Sequence, residues 1–132
     1  MTAVEGDDDL SHQVHADNCL LKDRDVCLRE SPAYIWRDYS AILYLNDDFQ
    51  GGEFFFAEDR VVRTTDNVVS PRCGRIVAFS AGKENLHGVR GILRGKRCAL
   101  AIINSFYQTF SSLLNILDRR FYTLEMKCQY VY

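Results

Sequence analysis

Six short segments restrict what this chain can become more than any other feature: VHADNCLL (14–21), YSAILYLN (39–46), GEFFFAE (52–58), RVVRTT (60–65), GRIVAFS (74–80) and RCALAIIN (97–104). Each is of strand length and rich in the aromatic and β-branched residues that suit a pleated, half-buried surface. Between them LKDRD, NDDFQGG, SPRCG, SAGKEN and LRGK concentrate the Gly, Asn, Asp, Ser and Pro that turn a chain rather than extend it. Many short strands separated by such turns predict a mainly β fold, an antiparallel barrel or sandwich. With 132 residues there is chain for one such domain and no second.

The ends differ in character from this middle. Residues 1–12, beginning MTAVEGDDDL, read as an acidic, poorly ordered lead-in to a domain over 13–104. Beyond Asn104 the spacing of Phe106, Phe110, Leu113, Leu114, Leu117 and Phe121 predicts one amphipathic helix packed on the sheet. The short extended end CQYVY follows it, so that 105–132 form a tail of different pattern.

Hydrophobic residues at 47% and charged residues at 26% are ordinary globular values and exclude a largely disordered chain. A formal charge of −2 provides no basic footprint for a phosphate backbone, which argues against nucleic acid as a partner. No apolar run approaches the roughly 20 residues that span a bilayer, and the acidic start lacks the basic and apolar regions of a signal peptide. The five cysteines contain no C-x-x-C pair, which removes zinc-ribbon and thioredoxin readings, and their odd number leaves at least one thiol unpaired. Cys19 and Cys27 bracket a short polar loop that a disulfide can close.

The chemistry begins with His15 and Asp17 in QVHADNC. With 18 Asp and Glu in the chain, a carboxylate two positions after a histidine is by itself a common coincidence. In an extended strand, however, residues two apart share a face, so both can reach one ion while Ala16 points away. His87, in ENLHGV, can join them if the strands curl into a small barrel. Two imidazoles and one carboxylate occupy one face of an octahedron and leave the rest open, the ligand set of non-haem Fe(II) oxygenases. Such a centre stays net positive and favours an anionic bidentate ligand such as a 2-oxo acid. The far carboxylate of that acid needs a cation, and Arg97, opening the apolar strand RCALAII, is either its planar, two-pronged anchor or one half of a rim salt bridge. Tyr44, in AILYLND, either adds a hydroxyl to the same carboxylate or is a core tyrosine with its OH hydrogen-bonded. His12 falls on the opposite face of an extended strand from His15, Arg94 and Lys96 face water, and Trp36 and Phe54, Phe55 and Phe56 read as packing.

Taken together, QVHADNCLL, WRDYSAILYLNDDFQGGEFFF and CGRIVAFSAGKENLHGVRGILRGKRCALA, in this order over roughly residues 10–101, resemble the catalytic domain of the prolyl 3-hydroxylases of collagen, the leprecan family. The resemblance implies a double-stranded β-helix of jelly-roll or cupin-like form, with His15, Asp17 and His87 as metal ligands to Fe(2+) and Arg97 as anchor of the distal carboxylate of 2-oxoglutarate. It implies 3-hydroxylation of peptidyl proline in procollagen chains, with release of succinate and carbon dioxide and with L-ascorbate (vitamin C) keeping the iron ferrous. The setting it implies is the endoplasmic reticulum, with collagen-chaperone proteins as further partners, while the chain as written has no signal peptide, retention ending or transmembrane segment. Few residues precede His15, and after RCALA the sequence IINSFYQTFSSLL leaves the family pattern. A domain truncated on its N-terminal side is therefore expected, and with it a second reading: a non-catalytic isoform acting as a collagen-binding or chaperone-associated module.

Overall fold

Alternating burial along the aromatic and β-branched segments rolls the chain into two antiparallel sheets that close on each other. The computed structural model describes residues 10–23, 25–61, 67–104 and 123–131. In chain order the strands are β1 Leu10–His15, β2 Leu20–Asp23, β3 Val26–Leu28, β4 Tyr39–Tyr44, β5 Gln50–Gly51, β6 Phe54–Phe56, β7 Asn67–Val69, β8 Ile76–Ser80, β9 His87–Arg90, β10 Ile92–Asn104 and β11 Thr123–Val131, with a 3₁₀ turn at Lys83–Asn85. One sheet runs β1-β9-β6-β7 and the other β11-β10-β4-β8, with β5 added to the start of β10. The core is shared: Phe54 and Val89 from the first sheet meet Tyr44, Val77, Phe79 and Ala99 from the second. Two curled antiparallel sheets facing each other across one apolar layer make a jelly-roll-like fold, as the sequence predicts. Among the described residues no helix is long and apolar enough to cross a membrane.

Two local departures from the sequence reading, and the start of one strand, shape the site. VHADNCLL is not one strand: β1 stops at His15, and the amides of Asp17 and Asn18 both donate to the carbonyl of Ala81 at 3.0 Å, so the chain bends away from the ladder before β2. Asp and Asn pair poorly in strands and accept bends readily. The stretch LRGK is not a turn either. Gly95 adopts φ 91° inside the thirteen-residue β10, and a Cβ there would stand 3.1 Å from that of Phe49. Glycine lets the strand kink without losing its partners. After the turn at Lys83–Asn85, as the sequence suggests, His87 opens β9, directly opposite both His15 and Phe56.

Of RVVRTT, Arg60 and Val61 lie in a bend, and the remainder falls outside the described residues, as does the helix expected over 106–121. The extended end is longer than CQYVY: β11 pairs with β10 from Gly95↔Val131 to Ile103↔Thr123. Cys98 and Cys128 are joined by a disulfide across this pair, and Cys19 and Cys27 by another. Cys73 is the free thiol.

Candidate metal centre

The register that sets His15 against His87 brings their rings to a centroid distance of 4.5 Å. Each ring is oriented in the same way. Nδ1 of His15 donates to the carbonyl of Gln13 at 2.7 Å, and Nδ1 of His87 donates to the carbonyl of Asn85 at 2.8 Å. A carbonyl only accepts, so each Nδ1 holds the hydrogen and each Nε2 is left facing inward. What they face is Oδ1 of Asp17, 3.3 Å from His15 Nε2 and 3.5 Å from His87 Nε2. Asp17 arrives there from the bend after β1 rather than from an extended strand, so the same-face argument names the right residue for a different geometry. His12 lines the same cavity but lies outside the group whose ligand atoms sit within 4.8 Å of one another.

The second oxygen of Asp17 is held elsewhere. Ser40 Oγ donates to Oδ2, and Arg37 Nη1 stands 3.1 Å from it. Burial works against the charge on Asp17, but the hydrogen bonds from His15, His87 and Ser40 outweigh it and hold the carboxyl well below the usual carboxylate range. Burial likewise acts to strip the proton from His15, yet the bonds to Asp17 and the Gln13 carbonyl prevail and raise its pKa above the ordinary value. Both shifts report one fact: the Asp17 carboxylate stabilises positive charge at the inward nitrogen of His15. A divalent cation supplies it, and the donor set of two neutral imidazoles and one monodentate carboxylate fits iron with open positions.

Beside this cluster opens a cavity of about 850 Å³. Arg97, Ala99, Ala101 and Ile103 of β10 line it from one face of the strand, with Ile102 beside them. Arg97 is buried, and Nη1 donates to the Gly52 carbonyl at 3.4 Å. Gly52 sits at φ 71°, and a Cβ on it would stand 3.2 Å from Arg97 Cδ, so the loop NDDFQGGEF owes its close approach to glycine. Tyr44, opposite Ala99 in the ladder, is enclosed in the core. Its hydroxyl is buried with no hydrogen-bond partner, unlike a core tyrosine with its OH hydrogen-bonded. Burial pushes the phenol up in pKa, and the Arg97 charge opposes that rise. Of the two, Arg97 lines the cavity and Tyr44 lies outside its lining; a guanidinium fork is the side chain that matches the two oxygens of a carboxylate.

Arg37 and Ser40 went unread in the sequence, although WRDYS carries the signal: a serine facing inward at a buried position of a strand requires a polar partner. Trp36 is a correction of another kind. It does not pack in the core but stands half-exposed.

A jelly-roll-like sheet pair presenting two histidines and an aspartate beside a buried arginine defines a non-haem iron oxygenase of the 2-oxoglutarate type. Residues 4–104 match the model of the 2OG-Fe(II) oxygenase superfamily, and the chain belongs to that superfamily. Its particular likeness is to the prolyl 3-hydroxylases. It is 58% identical to prolyl 3-hydroxylase 3 of Homo sapiens over 106 residues, 76% of this chain and 14% of that protein. Against prolyl 3-hydroxylase 2 of Homo sapiens the identity is 52% over 106 residues, 76% of this chain and 15% of the relative. Against prolyl 3-hydroxylase 1 of Gallus gallus it is 55% over 100 residues, 74% and 14% respectively. The chain thus spans about one seventh of the length of these relatives.

Proposed function

We propose that this chain is the catalytic domain of a prolyl 3-hydroxylase acting on peptidyl proline of procollagen in the endoplasmic reticulum. His15, Asp17 and His87 are the iron ligands. Arg97 grips the distal carboxylate of 2-oxoglutarate, and the Tyr44 hydroxyl adds a donor to it. The domain runs over 13–104, preceded by the lead-in and followed by the tail, and collagen-chaperone proteins are its further partners. In the overall reaction 2-oxoglutarate, dioxygen and a proline C–H become succinate, carbon dioxide and a proline C–OH, with ascorbate returning iron to the ferrous state. Iron, when bound, supplies the site for dioxygen and 2-oxo acid and the electrons that activate oxygen.

The chain's own residues do the positioning. The Gln13 and Asn85 carbonyls fix the two tautomers. Ser40 and Arg37 keep Asp17 Oδ2 occupied, so that Oδ1 alone is offered to the metal. Phe54 stacks on His87 and Phe79 packs tilted against it, at ring distances of 5.1 and 4.5 Å, and they exclude water from its side of the centre.

The observation that carries this reading is the convergence of two inward Nε2 atoms on one carboxylate oxygen beside a buried guanidinium. Incubation with Fe(II), 2-oxoglutarate, ascorbate and a proline-rich collagen peptide tests it. Succinate release together with one added oxygen on C3 of proline is the expected result, lost in His87→Ala. Succinate release with oxygen added to another residue would shift the substrate assignment, and no peptide-dependent succinate would end it.

A further inference from the structure

Three consecutive large apolar side chains, Tyr34, Ile35 and Trp36, stand in water at 52%, 47% and 47% exposure. Tyr34 and Trp36 meet edge to face with ring centroids 5.8 Å apart. In a chain with an ordinary apolar content, such a cluster on one loop marks a contact surface. Its position gives it a use. Tyr34 N donates to the Asp17 carbonyl at 3.3 Å, and the Arg37 guanidinium lies 4.9 Å over the Tyr34 ring while pairing with the Asp17 carboxylate. Tyr34 also lines the cavity that holds the metal cluster. The aromatic pair is therefore continuous with the mouth of the site.

The loop is also held still. Ala33 N donates to the Glu30 carbonyl and Arg37 N to the Tyr34 carbonyl, at 3.0 and 2.9 Å, and Arg29 Nη2 donates to the Ile35 carbonyl at 2.6 Å. A pre-ordered aromatic surface binds without the cost of ordering itself. The cations beside it are engaged: Lys22, at the cavity lip, pairs with Glu30 at 3.2 Å, Arg37 with Asp17 at 3.1 Å, and Arg29 is turned to the Ile35 carbonyl. The surface thus suits an uncharged, extended segment. Proline-rich chains are already stiff in the polyproline II form, and they dock their rings against aromatic side chains for that reason.

We propose that Tyr34 and Trp36 form the docking surface on which a proline-rich peptide rests as it enters the metal cavity. The assignment deepens the function proposed above and rests on it for the choice of occupant.

Trp36 is the only tryptophan of the chain, so its fluorescence reports the surface directly. The chain loaded with Mn(II) and 2-oxoglutarate is titrated with a single-stranded Pro-Pro-Gly repeat, and with a Gly-Ser peptide of equal length as control. A saturable change in Trp36 emission with the first peptide alone is expected. Anisotropy of the labelled repeat should then show about tenfold weaker binding in Trp36→Ala and in Tyr34→Ala, with much of the affinity kept in Trp36→Phe. Mn(II) affinity in Trp36→Ala should equal that of the original chain, which separates a lost contact from a lost fold.

Equal peptide affinity in both alanine variants overturns the surface, even if the chain hydroxylates proline. Loss of self-association in Trp36→Ala with unchanged peptide affinity also overturns it, making the patch a contact between copies. Binding of the repeat through Trp36 without hydroxylation leaves the surface standing and ends the catalytic reading instead.

Discussion

Nη1 of Arg37 lies 3.1 Å from Oδ2 of Asp17, while Oδ1 is the oxygen nearest both imidazoles. The carboxylate is thereby divided between protein and metal. Ser40 shares the Oδ2 side, while Arg37 also lies over the Tyr34 ring at 4.9 Å. Ser40→Ala should therefore weaken Mn(II) or Fe(II) binding by about tenfold to a hundredfold, the usual effect of removing a group that orients a ligand. Isothermal titration with Mn(II) measures it, and an unchanged affinity would show that Arg37 alone suffices to orient the carboxylate.

The two histidines should part company when each is replaced. The His15 side chain is 43% exposed and that of His87 only 6%, and His87 is packed against both Phe54 and Phe79. Both His15→Ala and His87→Ala should abolish measurable metal binding. Only the His87 change should also destabilise the metal-free fold, by about 2–3 kcal/mol for a large-to-small change in a packed site. Urea denaturation with chelator present distinguishes them.

Tyr44 and Arg97 make a paired prediction. A buried hydroxyl without a partner costs free energy, so Tyr44→Phe should leave the ligand-free chain as stable or up to about 1 kcal/mol more so. The same change should raise the 2-oxoglutarate requirement roughly tenfold, because a hydrogen bond to a carboxylate is lost. Arg97→Lys keeps the charge and loses the planar fork, and should raise that requirement while leaving Mn(II) affinity unaltered. Stability and co-substrate titrations moving in the same direction for Tyr44→Phe would return the residue to a purely packing role.

The pH dependence follows from the opposite shifts of His15 and Asp17. A raised histidine contributes stability that is complete below its ordinary 6.5 and is lost as pH rises through its folded value. A depressed aspartate contributes stability that is complete above its ordinary 3.8 and is lost only as pH falls through its much lower folded value. The metal-free chain should thus be most stable between about pH 4 and pH 6.5 and decline toward pH 8. Metal binding requires unprotonated imidazole nitrogen, so added Mn(II) should stabilise more at pH 8 than at pH 6. Melting curves with and without Mn(II) at the two pH values should diverge in this sense.

The parts of this site that the sequence discloses are those whose chemistry is carried by rare residue types. Three histidines in the chain leave few ways to build a metal site, and an arginine opening an apolar strand has to be paired or used. The strand segments were legible because aromatic and β-branched runs with turns between them allow few alternatives. What escaped is set by tertiary context. The bend at Asp17 depends on the Ala81 carbonyl, far along the chain, and the continuity of β10 depends on glycine serving as a kink where it usually marks a turn. Ser40 and Arg37 are common polar residues whose roles exist only once Asp17 lies beside them. Trp36 is apolar by type, and nothing local tells a core ring from one on the surface.

The hairpin β2–β3 is a lip of the cavity, with Leu20, Leu21 and Lys22 among its lining residues. It is a two-stranded sheet on its own, outside both larger sheets, and isolated hairpins are marginal in water. What holds it is the Cys19–Cys27 disulfide and a small apolar cluster in which Leu21 and Cys19 meet Ala16 and Leu86. The bridge closes a sequence separation of 8, for which loop-closure entropy gives roughly 2–3 kcal/mol. Because Ala16 adjoins both His15 and Asp17, loosening the hairpin should loosen the metal-bearing bend as well. The double variant Cys19→Ser/Cys27→Ser should lose stability of about that size and bind Mn(II) less tightly, and a reductant should reproduce both effects in the original chain. If stability falls while metal affinity holds, the hairpin covers the cavity without bracing the ligands, and hydrogen exchange at Leu20 and Leu21 would rise alone.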